Sequence, residues 1–425
     1  MLLLQFTAIP KIGYLTRVVP PRLLEPFAAR FDRMVRNTFI RKFGLPDQLG
    51  DAARFTLSLP TRLGGFGLRS AEKSCVPAFY CALAQATKDI VAIVTQDRLQ
   101  DFLYPSPTQV PLAREVDRCW EVLNKLGVVD SLDGLIPNSR EGFWLPVDGN
   151  SFEQKAISLH IASTSLKAFL KENKNLRDKQ RLASVSSGKA GAWLTALPSS
   201  RALTLTDAEM VSAVRHRLGL PAAEGLPAKC SCDADLKKDP GHFHSCRLMK
   251  RGAITVRHDM IVRSLAQLFR QVGAVVKIEP RVYDAERLRP DLEIIFPDQT
   301  VMVDVTVTHP AAPSRTSAVP LSAAAAAEAK KTNYYAELAK KYGAVFLPYA
   351  VETYGALGER AQEILKILRT AAANEAGTLP TSPAVFGTLA LQTLAVALQR
   401  GNALVARRGA TEARLAAVSG RRRGR

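Results

Sequence analysis

The fold of this chain is decided by the stretch Arg289-Pro-Asp-Leu-Glu-Ile-Ile-Phe-Pro-Asp-Gln-Thr-Val-Met-Val-Asp-Val-Thr-Val-Thr308. Residues 291–296 and 301–308 predict two β-strands, because β-branched side chains favour an extended backbone. The Pro-Asp-Gln-Thr sequence between them is a turn signal, so the two strands are predicted to pair as a hairpin. In the second strand the valines point to one face, whereas Asp304 and Thr306 point to the other.

Further elements flank this hairpin on both sides. Residues 257–272 carry apolar side chains at helical spacing and are followed by a glycine, which predicts a helix. Residues 274–279 predict a strand. After the hairpin, residues 322–342 predict a helix and residues 344–351 a last strand. The predicted unit is therefore α/β, with the element order αβββαβ.

Acidic side chains collect at one end of the predicted sheet. The hairpin brings Asp291 and Asp304 together there, and Glu279, which ends the neighbouring strand, is a candidate third acid. Converging carboxylates can bind a divalent cation, which activates water and neutralises charge on a scissile phosphate. On the following helix, Lys331 and Tyr335 are four residues apart and share a face. These five residues are the candidates for a catalytic centre.

The same acids have a plainer interpretation, in which they cap turns or lie exposed. Asp304 argues against it, because burying a carboxylate inside a valine-rich strand is costly unless the group is paired or metal-bound. Lys331 would orient the water or balance the phosphate charge. Lys330 takes this place if the helix register is shifted by one residue.

A second cluster of metal-ligating side chains precedes the α/β unit. Cys230 and Cys232 lie on one short segment, and His242 and Cys246 lie on another, after a Pro-Gly turn. Thiolate and imidazole are preferred zinc ligands, and four of them leave no open position, so the site is predicted to be structural. His244 points elsewhere unless its segment is extended. The alternative, free cysteines near solvent-exposed histidines, poorly explains so dense a cluster.

The remaining segments are predicted to be mainly helical. Residues 22–42 predict a helix with a basic outer face and an apolar side formed by Leu23, Phe27, Phe31, Val35 and Phe39. The glycine-rich residues 59–68 form either a closely packed turn or a phosphate-binding loop. An Ala-rich helix over residues 384–398 precedes a basic tail, which is either solvated or a DNA-binding arm. The other cysteines are expected in the core: Cys75, Cys81 and Cys119.

Composition narrows the classes of function. The 425 residues predict two or three domains, and a formal net charge of +19 points to a polyanionic partner such as nucleic acid. Hydrophobic residues make up 47% of the chain, which argues against a wholly disordered protein. No apolar run is long enough for a membrane span, and six cysteines in this length do not form a disulfide framework.

The motifs resemble those of a known group of proteins. Arg289-Pro-Asp291, twelve further residues and then Asp304-Val-Thr306 resemble the PD-(D/E)XK nuclease signature. Threonine where lysine is usual, with a lysine on the next helix, resembles the restriction-like endonuclease at the C-terminus of site-specific non-LTR retrotransposon proteins. Those proteins carry a CCHC zinc motif just before the nuclease, as this chain does. Residues 11–70 are similar to the thumb that ends their reverse transcriptase domain.

The resemblance implies a multidomain protein with a mainly α N-terminal half, a small zinc motif and an α/β PD-(D/E)XK restriction-like endonuclease core. Its implied segments are a thumb-like helical segment at 1–90, a mainly helical linker at 91–224, the zinc motif at 225–250, the nuclease at 251–371, and an Ala-rich helix with a basic tail at 372–425. The implied metals are structural Zn²⁺ and catalytic Mg²⁺ or Mn²⁺.

The resemblance also implies a function. The nuclease would nick target DNA in the nucleus and free a 3′-hydroxyl that primes reverse transcription, with element RNA as a further partner and no membrane association. The residues implied to contact nucleic acid are Arg257, His258, Arg289 and Thr306.

One part of the family pattern is missing. The polymerase palm uses paired aspartates, and this chain has no Asp-Asp dipeptide. The resemblance therefore implies a C-terminal piece, whether a truncated copy, a mis-started gene model or a retained host gene, and not a reverse transcriptase on its own. Two other interpretations stay open: a nucleic-acid-binding module without cleavage, and a decayed product. The sequence does not predict the oligomeric state.

Overall fold

The computed structural model of the protein describes residues 2–93, 111–131, 154–281, 283, 288–375, 377 and 379–423. They form two compact units. The first unit comprises Met1–Asp47, Leu57–Pro60 and Phe66–Glu172, and the second comprises Gln48–Thr56, Thr61–Gly65 and Asn173–Arg425. The second unit therefore contains the whole predicted zinc motif and the whole predicted α/β region. The predicted boundaries at residues 224, 250 and 371 all fall inside it.

The first unit is built from helices in its described residues. After a π-helical turn at Leu4–Ala8, the α-helices are Ile9–Gly13, Leu15–Val18, Pro21–Lys42, Ala71–Ile93, Pro111–Lys125, Val128–Ser131 and Gln154–Glu172. The predicted burial of Cys75, Cys81 and Cys119 is confirmed.

The phase of one helix in the first unit differs from the prediction. Leu24 and Ala28 face inward and pack with Ala71 and Cys75, whereas Leu23 and Phe27 are 57% and 69% exposed. The predicted apolar stripe was therefore wrong by about one residue at the start of the helix Pro21–Lys42, whereas the burial of Phe39 near its end is confirmed. Pro26 lies inside this helix, and the sequence pattern alone did not reveal which side a neighbouring helix would cover.

The second unit contains one mixed four-stranded sheet. Its strands are β1 (Val275–Ile278), β2 (Leu292–Ile295), β3 (Thr300–Thr308) and β4 (Val345–Glu352), arranged in the order β1-β2-β3-β4. The first three are antiparallel, and β3 pairs parallel to β4. The α-helices of this unit are Leu176–Val185, Asp207–Leu218, Ala253–Gln271, Ser322–Lys341, Glu359–Asn374 and Pro383–Arg423, together with the first six residues of the helix Asp51–Ser58. The predicted element order αβββαβ is confirmed from Ala253 to Glu352.

The alternation predicted for β3 is also confirmed. Val301, Val303 and Val305 are buried in the main core, packed with side chains from the helices Ala253–Gln271 and Glu359–Asn374. On the opposite face, Met302 packs with Tyr335 of the helix Ser322–Lys341. Because the side chains of a strand alternate between its two faces, Asp304 lies on this second face, toward the lysine-bearing helix.

The helix Pro383–Arg423 belongs to the core of the second unit. Its 41 residues span about 60 Å at 1.5 Å per residue. Phe386 and Leu394 join the main core, and further along Val405 and Ala413 pack with the cysteine segment. The prediction of a packed helix is confirmed, but packing continues well beyond residue 398 into the segment that we expected to be a tail.

The glycine-rich loop is a closely packed turn. Gly64 has a left-handed backbone with φ of +89°, and a Cβ there would lie 2.7 Å from Val185 Cγ2. Nη2 of the buried Arg217 donates to the carbonyls of Gly65, at 3.2 Å, and Thr61, at 3.4 Å. These contacts favour the structural interpretation of the loop over a phosphate-binding one.

Among the described residues, no helix has the length and apolarity that a membrane crossing requires.

Candidate zinc motif and acidic centre

The first pair of cysteines sits on a tight backbone turn. The Cys230 N–H donates to the Ala234 carbonyl at 2.9 Å, and the Asp233 N–H donates back to the Cys230 carbonyl at 2.9 Å. Asp233 adopts φ of +70°, a left-handed conformation that aspartate tolerates better than most residues. This turn directs both thiols of the Cys-x-Cys sequence to one side.

The second pair closes the cluster. His242 lies in a 3₁₀ turn, His242–His244, and Cys246 follows it. The ligand atoms of Cys230, Cys232, His242 and Cys246 all lie within 4.8 Å of one another. Cys246 Sγ is 3.7 Å from Cys232 Sγ and 4.0 Å from Cys230 Sγ. Zinc–sulfur bonds of about 2.3 Å at tetrahedral angles put two sulfurs about 3.8 Å apart, so these two sulfur separations fit a zinc site.

The predicted ligand set is therefore assembled in the structure. Cys232 is the one partly exposed member, and the other three are buried. Burial opposes ionisation of the Cys232 thiol, but hydrogen bonds, first of all from the Ala234 backbone, lower its pKa to about 7. Burial raises the pKa of Cys246 to about 12. A bound metal ion would compensate for ionising such a buried thiol.

His244 stands outside the ligand group, as the spacing predicts for a turn. Its Nδ1 lies 3.3 Å from Arg257 Nη1, and its ring packs against His216 at 4.1 Å between centroids. Burial lowers the pKa of His244 well below its ordinary value. His244 therefore helps to fasten the metal motif to the helix Ala253–Gln271.

A charged pair lies behind the histidine ligand. Asp239 Oδ2 is 3.8 Å from His242 Nδ1, within electrostatic reach but longer than a hydrogen bond. Asp239 Oδ1 pairs with Arg177 Nη1 at 2.5 Å. Carboxylates in this position commonly orient a histidine ligand. The sequence signal for this contact, an acid three residues before the histidine, was not used in the prediction.

The acidic centre forms where β2 begins, beside the second half of β3. Asp291 directly precedes β2, and its Oδ2 accepts a hydrogen bond from the Val305 N–H at 2.6 Å. His258 Nε2 lies 3.1 Å from the same carboxylate oxygen and 3.1 Å from the Val305 carbonyl. On its other side, His258 Nδ1 faces Asp259 Oδ1 at 3.1 Å.

Asp304 is the buried member of the acidic pair. It is 4% exposed, and its Oδ2 lies 2.7 Å from Lys331 Nζ. Burial and the charge of Asp291 raise the pKa of Asp304, whereas Lys331 and the Tyr335 hydroxyl act in the opposite direction. The charge of Asp291 therefore acts directly on Asp304, and the lysine and tyrosine predicted from the helical spacing both face it.

Tyr335 connects the helix to the loop before β2. Its hydroxyl donates to the Arg289 carbonyl at 2.9 Å, and its ring stacks on Phe346 with centroids 4.9 Å apart. Lys331 Nζ lies 5.8 Å from the centre of the Tyr335 ring. Lys330 is exposed on the outer face of the helix, so the register favours Lys331 as the lysine of this centre.

Other predicted residues lie at varying distances from this pair. The Glu279 N–H donates to the Asp291 carbonyl at 2.9 Å, but the Glu279 side chain is exposed and contacts neither aspartate among the described residues. Arg289 is exposed beside the centre. Thr306 is half-buried, and its Oγ1 has no hydrogen-bond partner in the described structure. Glu279 thus does not complete a three-carboxylate cluster.

Arg257 is buried and therefore cannot contact nucleic acid. The side chain is 1% exposed, and Nη1 donates to Asn402 Oδ1 at 3.1 Å. Gly401 leaves the necessary space, since a Cβ there would lie 2.5 Å from Arg257 Cγ. The resemblance implied a nucleic-acid contact for Arg257. The structure instead places it inside, where it joins the C-terminal helix to the helix Ala253–Gln271.

The environment of His258 favours the charged imidazole. Burial lowers its pKa, but hydrogen bonds and charge from Asp291, and then from Asp259, outweigh burial and raise the pKa to about 9. At neutral pH the two carboxylates of the centre are thus opposed by two positive groups, Lys331 and His258. Pairing between His258 and Asp291 was not predicted, because it depends on how the helix Ala253–Gln271 packs on the sheet.

Comparison with known proteins bears on the origin of the chain. It is 28% identical over 199 residues to the retrotransposable element SLACS 132 kDa protein of Trypanosoma brucei gambiense, an alignment that covers 44% of this chain. The similarity supports a retrotransposon-related protein. The aligned part is 16% of that relative's length. No protein-family model matches the chain.

Proposed function

We propose that the second unit is a metal-dependent DNA endonuclease of the non-LTR retrotransposon kind, which nicks one strand and leaves a 3′-hydroxyl for reverse transcription. The observation that supports this proposal most is Asp304, a buried carboxylate on a valine-rich strand. Burial and the charge of Asp291 raise the pKa of Asp304, and Asp304 pairs with Lys331. The similarity to a retrotransposable element protein supports the same direction.

The donor set suits a hard divalent cation. Asp291 and Asp304 supply carboxylate oxygens, the ligands that Mg²⁺ and Mn²⁺ prefer. The Val305 N–H and His258 both engage Asp291 Oδ2, which leaves Oδ1 for a cation. The buried Thr306 Oγ1 has no hydrogen-bond partner among the described residues and is a further nearby oxygen. A cation held there would supply charge that lowers the pKa of a water and stabilises the departing oxygen.

The remaining side chains of the centre would orient the substrate. Lys331 lies beside Asp304 and is one-third exposed, so its ammonium can reach a phosphate oxygen at the mouth of the site. Tyr335 fixes the helical turn that presents this lysine through its bond to the Arg289 carbonyl. The exposed Arg289 side chain would bind phosphate. These contacts read phosphate and shape and carry no base sequence.

The zinc motif, the nucleic-acid partners and the cellular location complete the proposal. The zinc motif would be structural, because four protein ligands leave no open position. The excess positive charge would bind target DNA, and element RNA would be a second polyanionic partner. We propose that the protein acts in the nucleus, because its proposed DNA target would lie there.

A nicking assay on supercoiled plasmid tests the endonuclease. We expect conversion to the open circular form in Mg²⁺ or Mn²⁺, complete loss in EDTA, and loss of at least about 10³-fold in Asp291→Ala and Asp304→Ala, since one carboxylate holds a hard cation poorly. DNA binding, measured by mobility shift, should persist in both variants. Nicking that survives EDTA, or an Asp304→Ala protein that nicks at the wild-type rate, contradicts the proposal.

A second candidate function is nucleic-acid binding without cleavage. The observation that favours it is the charge balance of the acidic centre, where Lys331 and His258 already oppose both carboxylates and Glu279 does not contribute a third. In that case the wild-type protein and Asp304→Ala would bind DNA equally well, and neither would nick it with any divalent cation.

A further inference from the structure

We infer that His258 is a positioning residue, which holds the Asp291 carboxylate and the end of β3 in the geometry that a divalent cation needs. This inference rests on the endonuclease function proposed above. It replaces the nucleic-acid contact that the family resemblance implied for His258 with a role inside the acidic centre.

The β2–β3 ladder ends two residues before Val305. Leu292 pairs with Val303, the last pair of the antiparallel register. Two residues further along the same register, Pro290 would stand opposite Val305. Proline has no N–H and cannot donate to a neighbouring strand. The Val305 backbone therefore needs other partners at this point.

Two side chains supply those partners. The Val305 N–H donates to Asp291 Oδ2 at 2.6 Å, and the Val305 carbonyl lies 3.1 Å from His258 Nε2. His258 Nε2 is also 3.1 Å from Asp291 Oδ2. Since both atoms facing Nε2 are acceptors, this nitrogen carries the proton and donates to both. Imidazole and carboxylate together replace the missing strand.

The bonds made by His258 and Asp291 orient both acidic side chains of the centre. Val305 lies between Asp304 and Thr306, so fixing its backbone fixes the direction of the Asp304 side chain. Donors to Asp291 Oδ2 leave Oδ1 as the oxygen that can turn to a cation. Asp259 holds the ring from the other side, with Oδ1 3.1 Å from His258 Nδ1. The helix Ala253–Gln271 thereby sets the spacing of the acidic pair.

His258 is poorly placed to contact a phosphate directly. The His258 side chain is 28% exposed, and both of its nitrogens already face acceptors in the protein. A direct phosphate contact would require one of these bonds to break, whereas a positioning role uses the arrangement as it stands.

Matched substitutions test the inference on the full chain with zinc bound. In His258→Gln, the amide nitrogen occupies about the place of Nε2 and can still donate to Asp291. In His258→Asn, the amide reaches only the place of Nδ1, so the bond is lost while polarity is kept. His160→Ala, in the other unit, controls for loss of a histidine. The readouts are Mn²⁺ affinity, from electron paramagnetic resonance of free Mn²⁺, and the Mn²⁺ dependence of plasmid nicking.

We expect His258→Asn to weaken Mn²⁺ binding about 10- to 100-fold, as loss of a group that orients a ligand does, with DNA affinity unchanged. His258→Gln should recover most of this loss, and excess Mn²⁺ should restore nicking by His258→Asn. Wild-type Mn²⁺ affinity in His258→Asn, or equal loss in Asn and Gln variants that both retain zinc and the wild-type melting temperature, overturns the inference.

The two failures are distinguishable. If wild type binds Mn²⁺ and Asp304→Ala does not, the endonuclease proposal stands even when His258→Asn behaves as wild type. If the wild-type protein neither binds Mn²⁺ nor nicks, the endonuclease proposal fails, and the positioning role fails with it.

Discussion

The zinc motif and the acidic centre lie in the same unit, but they are organised in opposite ways. In the motif, four ligand atoms lie within 4.8 Å of one another, with three of the residues buried. In the acidic centre, the Asp291 and Asp304 side chains are 15% and 5% exposed, and they pair with a histidine and a lysine, respectively. The motif is a closed set of four ligand atoms, whereas the acidic centre is an open site, balanced by two cations that are themselves partly exposed.

This difference separates a site that maintains structure from one that can exchange its contents. A closed set of soft ligands gains folding energy from zinc and has no room for a substrate. A pair of hard ligands with nearby movable cations can admit Mg²⁺, water and phosphate in turn. The experiments below test each half of this contrast, from the largest expected effect to the smallest.

Removing a cysteine should abolish the closed site. We expect Cys246→Ala to lose its single equivalent of zinc, as measured by elemental analysis of purified protein, because three ligands do not close the tetrahedron. His244→Ala should retain zinc, since its ring faces Arg257 and His216 and not the thiols. Equal zinc loss from both variants would show that the ligand set is drawn wrongly, and the contrast with the acidic centre would collapse.

The open site should depend on its lysine. Lys331→Ala should lower the nicking rate by about 100-fold, comparable with losing one positioned electrostatic stabiliser, while zinc content stays at one equivalent. Lys330→Ala is the matched control, because this neighbouring lysine is exposed on the outer face of the helix. If the two variants are slowed equally, Lys331 acts only through general charge on the helix and not through Asp304.

The carboxylate behind His242 should tune the closed site without forming it. We expect Asp239→Asn to weaken zinc affinity about 10-fold, the lower end for a group that orients a histidine ligand, as followed by competition with a chromophoric chelator. Asp235→Asn is the control. Among the described residues, its carboxylate accepts from the Lys237 and Lys238 backbone and pairs loosely with the Lys238 ammonium. Unchanged affinity in Asp239→Asn would mean that the 3.8 Å separation is too long to matter.

The smallest effect concerns how the zinc motif is held. A Cβ on Gly409 would lie 2.4 Å from the Phe243 ring. Gly409→Ala should therefore destabilise the second unit by about 1–2 kcal/mol, overpacking outweighing the gain in helix propensity. Gly387→Ala in the same helix meets only the flexible Arg369 side chain at 3.4 Å. It should be neutral or stabilising in thermal unfolding. Two equal shifts would show that the Phe243 contact yields freely.

The sequence predicted features that depend on local pattern. Alternation in residues 301–308 gave the face of Asp304, and spacing of four gave the shared face of Lys331 and Tyr335. The Cys-x-Cys and His-x₃-Cys spacings predicted the four side chains that the structure brings together in the candidate zinc motif. Each of these relations is fixed within one element or between two elements joined by a short turn, so a single sequence contains the necessary information.

Features that depend on packing between distant elements were not predicted. His258 approaches Asp291 because the helix Ala253–Gln271 lies across the sheet end, and no local pattern specifies that crossing. The resemblance implied that Arg257 contacts nucleic acid, but Gly401, a glycine 144 residues later, leaves the space in which Arg257 is buried. Glu279 has the right strand position, but its left-handed backbone, with φ of +46°, turns the chain away from the acidic pair.

The helix Pro383–Arg423 has a consequence for the order in which the second unit can fold. It bonds to residues far earlier in the chain, with Gln392 reaching Thr195 across 197 positions and Arg414 reaching Glu224 across 190. At a synthesis rate of about 5–20 residues per second, the earlier segments wait about 10–40 s for their partner. During that interval the apolar surface that this helix later covers is exposed to other chains. The unit therefore belongs to the class of folds whose late, long-range contacts slow folding and make chaperone binding during synthesis useful.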